Sequence, residues 1–225
     1  MLFLSIDTSG KSGGISLAEG DQSSFRVIDS SPIAGGTFSA QLVPTLASLL
    51  QKHGFTADDL EGFVAVSGPG SFTGLRVGLS AIKGLAEVLV KPIATVSLLE
   101  ALAITSGLQG RVAAALDAGR EEVFWGLYDV GPHRAATVQQ QLLSHAEFFK
   151  AARDSGSPLV VTSDQSLVEL VCSAGIGTQK AERPGSEGVA RIGLQKLLTG
   201  KTTGVEELDA NYIRRSDAEI FSKSL

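Results

Sequence analysis

The chain has 225 residues, 43% hydrophobic and 19% charged, with a formal net charge of −5. That is enough chain for one large domain or two small lobes with a full core, and it lacks the basic excess of a free-standing nucleic-acid binder. A single cysteine, Cys172, excludes an intrachain disulfide and a cysteine-built zinc site.

The first residues, Met1-Leu2-Phe3-Leu4-Ser5-Ile6, reach Asp7 without a basic leader, and no apolar run approaches the ~18 residues of a membrane span. The expectation is a reduced, cytoplasmic chain. Residues 2–6 predict a first strand, closed by Asp7. Residues 14–18 and 24–28 predict two more, turning at Gly20-Asp21. Thr37 and Ser39 are candidate caps for a helix reaching His53, and Pro44 marks either a kink or its start. Residues 63–66 predict a strand, the turn Ser67-Gly68-Pro69-Gly70 follows, and a helix runs from Ser71 to Val88. A strand over 93–96 precedes a helix capped by Ser97.

The order then recurs. A strand over 112–116 is closed by Asp117, and strands over 122–130 and 136–141 follow. Ser144 caps a helix to Arg153, and then come a strand over 159–162, a helix over 165–172, a weak strand over 175–179 and a helix over 188–198. Each half reads βββαβαβα with an Asp at the end of its first strand, which predicts an internal duplication. This organisation is similar to the actin, Hsp70 and sugar-kinase superfamily. It implies an α/β, two-lobe actin-like (ASKHA, ribonuclease H-like) fold, with lobes at 1–105 and 106–225. In that superfamily two such turns hold a nucleotide and its metal. The alternative is two unrelated α/β units, or aspartates that only cap turns.

The expected chemistry is sparse. Gly10-Lys11-Ser12 imitates the end of a P-loop, but the glycine required five residues earlier is Ser5, inside a strand. Asp7-Thr8-Ser9-Gly10-Lys11 offers oxygens and amides for phosphate, whereas Asp117-Ala118-Gly119-Arg120-Glu121-Glu122 puts two acids there. Asp7, Thr8, Ser9 and Asp117 therefore make at most a degenerate nucleotide site. His53, His133 and His145 have no metal-ligand spacing, and a Gly-x-Ser-x-Gly nucleophile elbow is absent. Ser71 reads as a helix N-cap.

Around the helix that follows Ser71, at about 100° per residue, Leu75, Leu79, Ile82, Ala86 and Leu89 form a core stripe. Arg76, Ser80, Lys83 and Glu87 form a polar one. A third sector holds Gly74, Val77, Gly78, Ala81, Gly84, Leu85 and Val88. Interior glycine costs about 0.8–1 kcal/mol relative to alanine. A small apolar face at that cost implies a second helix packed closely against it, either the helix around Leu42 and Leu50 or one from another chain.

The block Gly68-Pro69-Gly70-Ser71-Phe72-Thr73-Gly74-Leu75-Arg76-Val77-Gly78 resembles the signature of the TsaB (YeaZ) family. Lys83-Gly84-Leu85-Ala86 and Ser97-Leu98-Leu99-Glu100-Ala101-Leu102-Ala103 support it. So do Leu4-Ser5-Ile6-Asp7-Thr8-Ser9, Leu116-Asp117-Ala118-Gly119-Arg120-Glu121-Glu122-Val123-Phe124-Trp125, and a tail from Asn211 to Glu219. The resemblance implies an actin-like chain without catalytic or metal-binding residues. It implies pairing with TsaD, the related subunit that carries metal-binding histidines and transfers the threonylcarbamoyl group. The product is N6-threonylcarbamoyladenosine in tRNAs reading ANN codons.

It further implies a TsaE-like ATPase and a TsaC-like donor synthase as functional partners, a homodimer when alone, and indirect tRNA contact. No cofactor is expected beyond weak or interfacial nucleotide in the complex. The partner face is expected at Gly74, Val77, Gly78, Ala81 and Leu85, with Phe38 and Leu42 from the preceding helix. Phe38 stands where relatives often have His. Arg214 and Arg215 read as an RNA or partner contact or as a solvated tail. Two rival readings stay open: an actin-like nucleotide hydrolase working between Asp7 and Asp117, and a glycoprotease-like peptidase.

Overall fold

The structure is a computed structural model and describes residues 1–131 and 135–210. His133, Arg214, Arg215 and the tail motif at 211–219 lie outside the described residues. Two compact units divide the chain: Met1–Ala101 with Pro184–Ala210, and Leu102–Arg183.

In the first unit, β1 (Leu2–Asp7), β2 (Ser12–Gly20), β3 (Phe25–Ala34), β4 (Gly62–Gly68) and β5 (Ile93–Ser97) lie in the order β3-β2-β1-β4-β5. Helix α1 (Phe38–Lys52) follows β3, α2 (Phe72–Leu89) follows β4, and α3 (Leu98–Thr105) follows β5. The second sheet repeats this arrangement with β6 (Gly110–Gly119), β7 (Glu122–Val130), β8 (Ala135–Ser144), β9 (Val160–Thr162) and β10 (Thr178–Lys180), in the order β8-β7-β6-β9-β10. In both sheets the first three strands are antiparallel and the last two join in parallel. With α4 (His145–Asp154), α5 (Gln165–Ser173) and α6 (Ser186–Leu198), the doubled βββαβαβα order is complete. The fold is the two-lobe actin-like class.

The second unit is centred on Trp125, whose ring meets Phe148 edge-on at 5.6 Å, among Val123, Leu143, Leu167 and Val171. Ser144 caps α4 reciprocally: its N–H donates to Glu147 Oε2 at 2.9 Å, and the Glu147 N–H donates back to Ser144 Oγ at 3.4 Å.

The expected boundary differs from the observed one. The expected second lobe takes in all of 106–225, yet α6 belongs to the first unit. Its buried residues Val189, Ala190, Ile192, Leu194 and Leu197 need an apolar face, and α6 contacts β1, β2, β4 and β5. Small residues let it approach closely. A side chain at Gly193 would meet Val64 at 2.2 Å, and Ser16 Oγ lies 2.7 Å from Ser186 Oγ. Lys196 Nζ donates to Glu100 Oε2 at 2.7 Å and to Thr95 O at 3.0 Å.

Helices α1 and α2 lie side by side on the other face of this sheet. The pleat separates the two faces, because neighbouring residues of a strand point oppositely: Gly13 faces Phe38 of α1, and Gly14 faces Ser186 of α6. Helix α1 runs through Pro44 and does not start there. Thr37 is its N-cap residue, but the hydroxyl donates backwards to Ala34 O at 2.7 Å and does not cap the helix.

The far end of α1 is tied to β3. Lys52 Nζ donates to Asp29 Oδ2 at 2.6 Å, and His53 Nε2 lies 2.8 Å from the same oxygen. These hydrogen bonds, the one from His53 foremost, hold the Asp29 carboxyl well below its ordinary value of 3.8. A carboxylate depressed in the folded state contributes stability that is complete above its unfolded pKa and is lost as pH falls toward the folded one. Asp29→Asn is therefore expected to lower the melting temperature at neutral pH. The gap from the parent should close as pH falls below about 4, which thermal melts from neutral pH downward will follow. A gap of equal size at low pH would remove this role for Asp29.

Candidate functional site

The features singled out in the sequence meet at the N-terminal half of α2. Ser71 caps it as expected, its side chain accepting from the Gly74 N–H at 3.2 Å. The core stripe is largely as expected: Leu75, Leu79, Ile82 and Ala86 are buried and Leu89 is half-buried, while Arg76, Ser80 and Glu87 are exposed and Lys83 is half-buried. Arg76 lies over the Phe72 ring, 3.7 Å from its centroid.

The small sector splits in two. Gly74 and Gly78 are buried and face the turn after β1, not a partner helix. A side chain at Gly74 would lie 2.1 Å from Thr8 O, and one at Gly78 would lie 2.3 Å from Thr8 Oγ1. Gly70 does the same toward Ser9 O, at 2.2 Å, and the Ser71 N–H donates to that oxygen at 2.8 Å. Phe38 and Leu42 are likewise buried, at 5% and 1% exposure, and the Phe38 ring packs beside Gly13. These four residues pack against this chain's own elements and offer a docking helix almost no surface. The Phe38 ring mostly fills intramolecular space.

The turn after β1 is buried by the same packing. Asp7, Thr8 and Ser9 are each no more than 3% exposed. Asp7 Oδ1 accepts from the Ser9 N–H at 2.8 Å and also from the Ser9 hydroxyl. In the second unit Asp117 Oδ1 accepts from the Gly119 N–H at 2.8 Å, and Asp164 Oδ2 accepts from the Asp117 N–H at 2.7 Å. Both aspartates thus bind the amide two residues on, the self-closing turn typical of this residue. The duplication extends to these hydrogen bonds, and they are turn chemistry. Asp7, Thr8 and Ser9 are packed under α2.

Part of what α1 and α2 leave outward is apolar. On α2, Val77, Ala81 and Leu85 are half-buried, and Val88 is 80% exposed. They recur at helical spacing on one side. Beyond them Val90 ends the helix with φ +52 and is 87% exposed, although a β-branched residue is strained there. On α1, Ala40, Val43, Pro44 and Ala47 are exposed at the same spacing, Val43 to 60%. The sequence reading missed this second stripe. Its signal was available: Val43-Pro44 is apolar but out of phase with the buried set Phe38, Leu42, Leu46, Leu49. Two adjacent helices with outward apolar stripes make a patch of the kind that marks an interaction surface.

Comparisons with known proteins bear on the family and the fold. A family model described as "TsaD: tRNA N6-adenosine threonylcarbamoyltransferase" matches residues 32–177. The Bacillus subtilis tRNA threonylcarbamoyladenosine biosynthesis protein TsaB is 29% identical, over 97% of this chain and 96% of its own length. The Escherichia coli protein of that name is 28% identical, over 79% and 81% respectively. Among solved structures, YeaZ from Pseudomonas aeruginosa superposes with a TM-score of 0.74 at 23% identity, covering 94% of this chain and all of that one. The likeness to that structure is one of fold.

Proposed function

The chain belongs to the TsaB (YeaZ) family, relatives of TsaD, and from that premise we propose that it is a non-catalytic subunit in the formation of N6-threonylcarbamoyladenosine in tRNAs that read ANN codons. Its work is to pair with a TsaD-like subunit through the outward face of α1 and α2. The observation that carries this reading is that face: exposed Val43, Pro44 and Ala47 beside Val77, Ala81, Leu85 and Val88. A soluble monomer gains nothing by leaving such a patch in water.

The closed turns support the non-catalytic part. Asp7 and Asp117 each spend a carboxylate oxygen on their own turn, and Asp7 is buried. The chemistry then lies with the TsaD-like partner, with a TsaE-like ATPase and a TsaC-like donor synthase serving the same pathway. When alone, the chain pairs with a second copy through the same apolar face. No helix among the described residues is long and apolar enough to cross a membrane.

The test is association. Size-exclusion chromatography with light scattering, on the purified chain mixed with the TsaD-like subunit of the same cell, is expected to give a 1:1 complex. Two independent peaks at micromolar concentration would count against pairing.

A further inference from the structure

One end of the outward face is polar in a way the apolar stripes do not explain. A cleft of about 270 Å3 opens there, lined by Lys11, Gly35, Ser39, Thr73 and Val77 among others. Val77 belongs to both features: it lines the cleft and begins the α2 stripe. No carboxylate lines the cleft, and neither α1 nor α2 carries an acidic residue in its first turn. Lys11 is exposed and makes no ion pair among the described residues, and the Ser39 and Thr73 hydroxyls make no hydrogen bond there. Two glycines of the lining pack tightly on backbone: a side chain at Gly35 would lie 2.3 Å from Lys11 O, and one at Gly74 would lie 2.1 Å from Thr8 O. The opposite end of the face, at Val88 and Val90, is apolar and exposed.

We propose that this cleft is a socket for an acidic side chain of the docking subunit, so that the partner lies along α2 with a carboxylate at Lys11 and apolar residues at Val88 and Val90. The inference rests on the reading of α1 and α2 as the docking face. Two features select the occupant. The charge left unmatched is a single cation with two hydroxyl donors, which suits a carboxylate. The cleft is also continuous through Val77 with the apolar stripe, so whatever covers the stripe reaches the cleft. A charge at the rim of an apolar patch sets register and approach more than affinity, and here it fixes which way round the partner binds.

The experiment is calorimetric titration of the TsaD-like subunit into the parent, Lys11→Gln, Lys11→Glu and Val88→Ser, at low and at physiological salt. Lys11→Glu is expected to weaken pairing on the order of tenfold at low salt and to remove much of its salt dependence, with Lys11→Gln between. Val88→Ser should weaken pairing while keeping the salt dependence. Parent-like affinity and salt dependence in Lys11→Glu, with pairing intact, overturns the socket and leaves the docking face standing. Lys11-dependent binding of inorganic phosphate to the chain alone, without any effect of Lys11 on pairing, also overturns it. No association by the parent overturns both.

Discussion

Val43→Glu combined with Val88→Glu is expected to weaken pairing with the TsaD-like subunit by about 100-fold or more while leaving the monomer folded. Both side chains point away from the core, at 60% and 80% exposure, so the free chain loses little: surface substitutions usually stay within about 0.5 kcal/mol. In a complex the two carboxylates would be buried without partners, at a cost of several kcal/mol. Val43 lies on α1 and Val88 on α2, so the double variant also asks whether the two helices act as one surface. A normal complex from a normally folded double variant would place the contact elsewhere on the chain.

The glycines of α2 should separate by position. Gly74→Ala would put a methyl 2.1 Å from the Thr8 carbonyl oxygen, and backbone on both sides leaves no flexible atom to yield. Overpacking costs about 1–3 kcal/mol, and a clash with backbone belongs at the upper end. The gain in helix propensity returns about 1 kcal/mol. The net is a loss of about 2 kcal/mol, or a melting point lower by roughly 4–8 °C for a chain of this size. Gly84→Ala differs, because no atom lies within 4 Å of the added methyl. It should raise stability by up to about 1 kcal/mol. Equal effects at the two positions would mean that Gly74 is not held against Thr8, and the closed reading of the first turn would fall with it.

Much of this fold was legible in the chain because its signals are local. Short β-branched runs, the N-caps Ser71 and Ser144, and the paired aspartates recur in one order, and both sheets follow it. The destination of α6 was not legible. Its stripe requires an apolar face but does not say which, and the small residues that receive it, Ser16 and Gly14, lie about 170 positions earlier. The site was legible in the same partial way. Helical angles separated the small sector of α2 from its core stripe, but angles do not name a neighbour. Gly74 and Gly78 proved to serve Thr8, and only Val77, Ala81, Leu85 and Val88 were left for an outside chain. Phe38 read as contact area because an aromatic near a helix start has two plausible fates. The glycine that receives its ring, Gly13, lies in another strand.

The most direct test of the whole account is nucleoside analysis of bulk tRNA from cells depleted of this protein, with the parent or the Val43→Glu and Val88→Glu variant supplied back. The account predicts that N6-threonylcarbamoyladenosine falls on depletion, returns with the parent and does not return with the variant. An unchanged level of that nucleoside after depletion would contradict it.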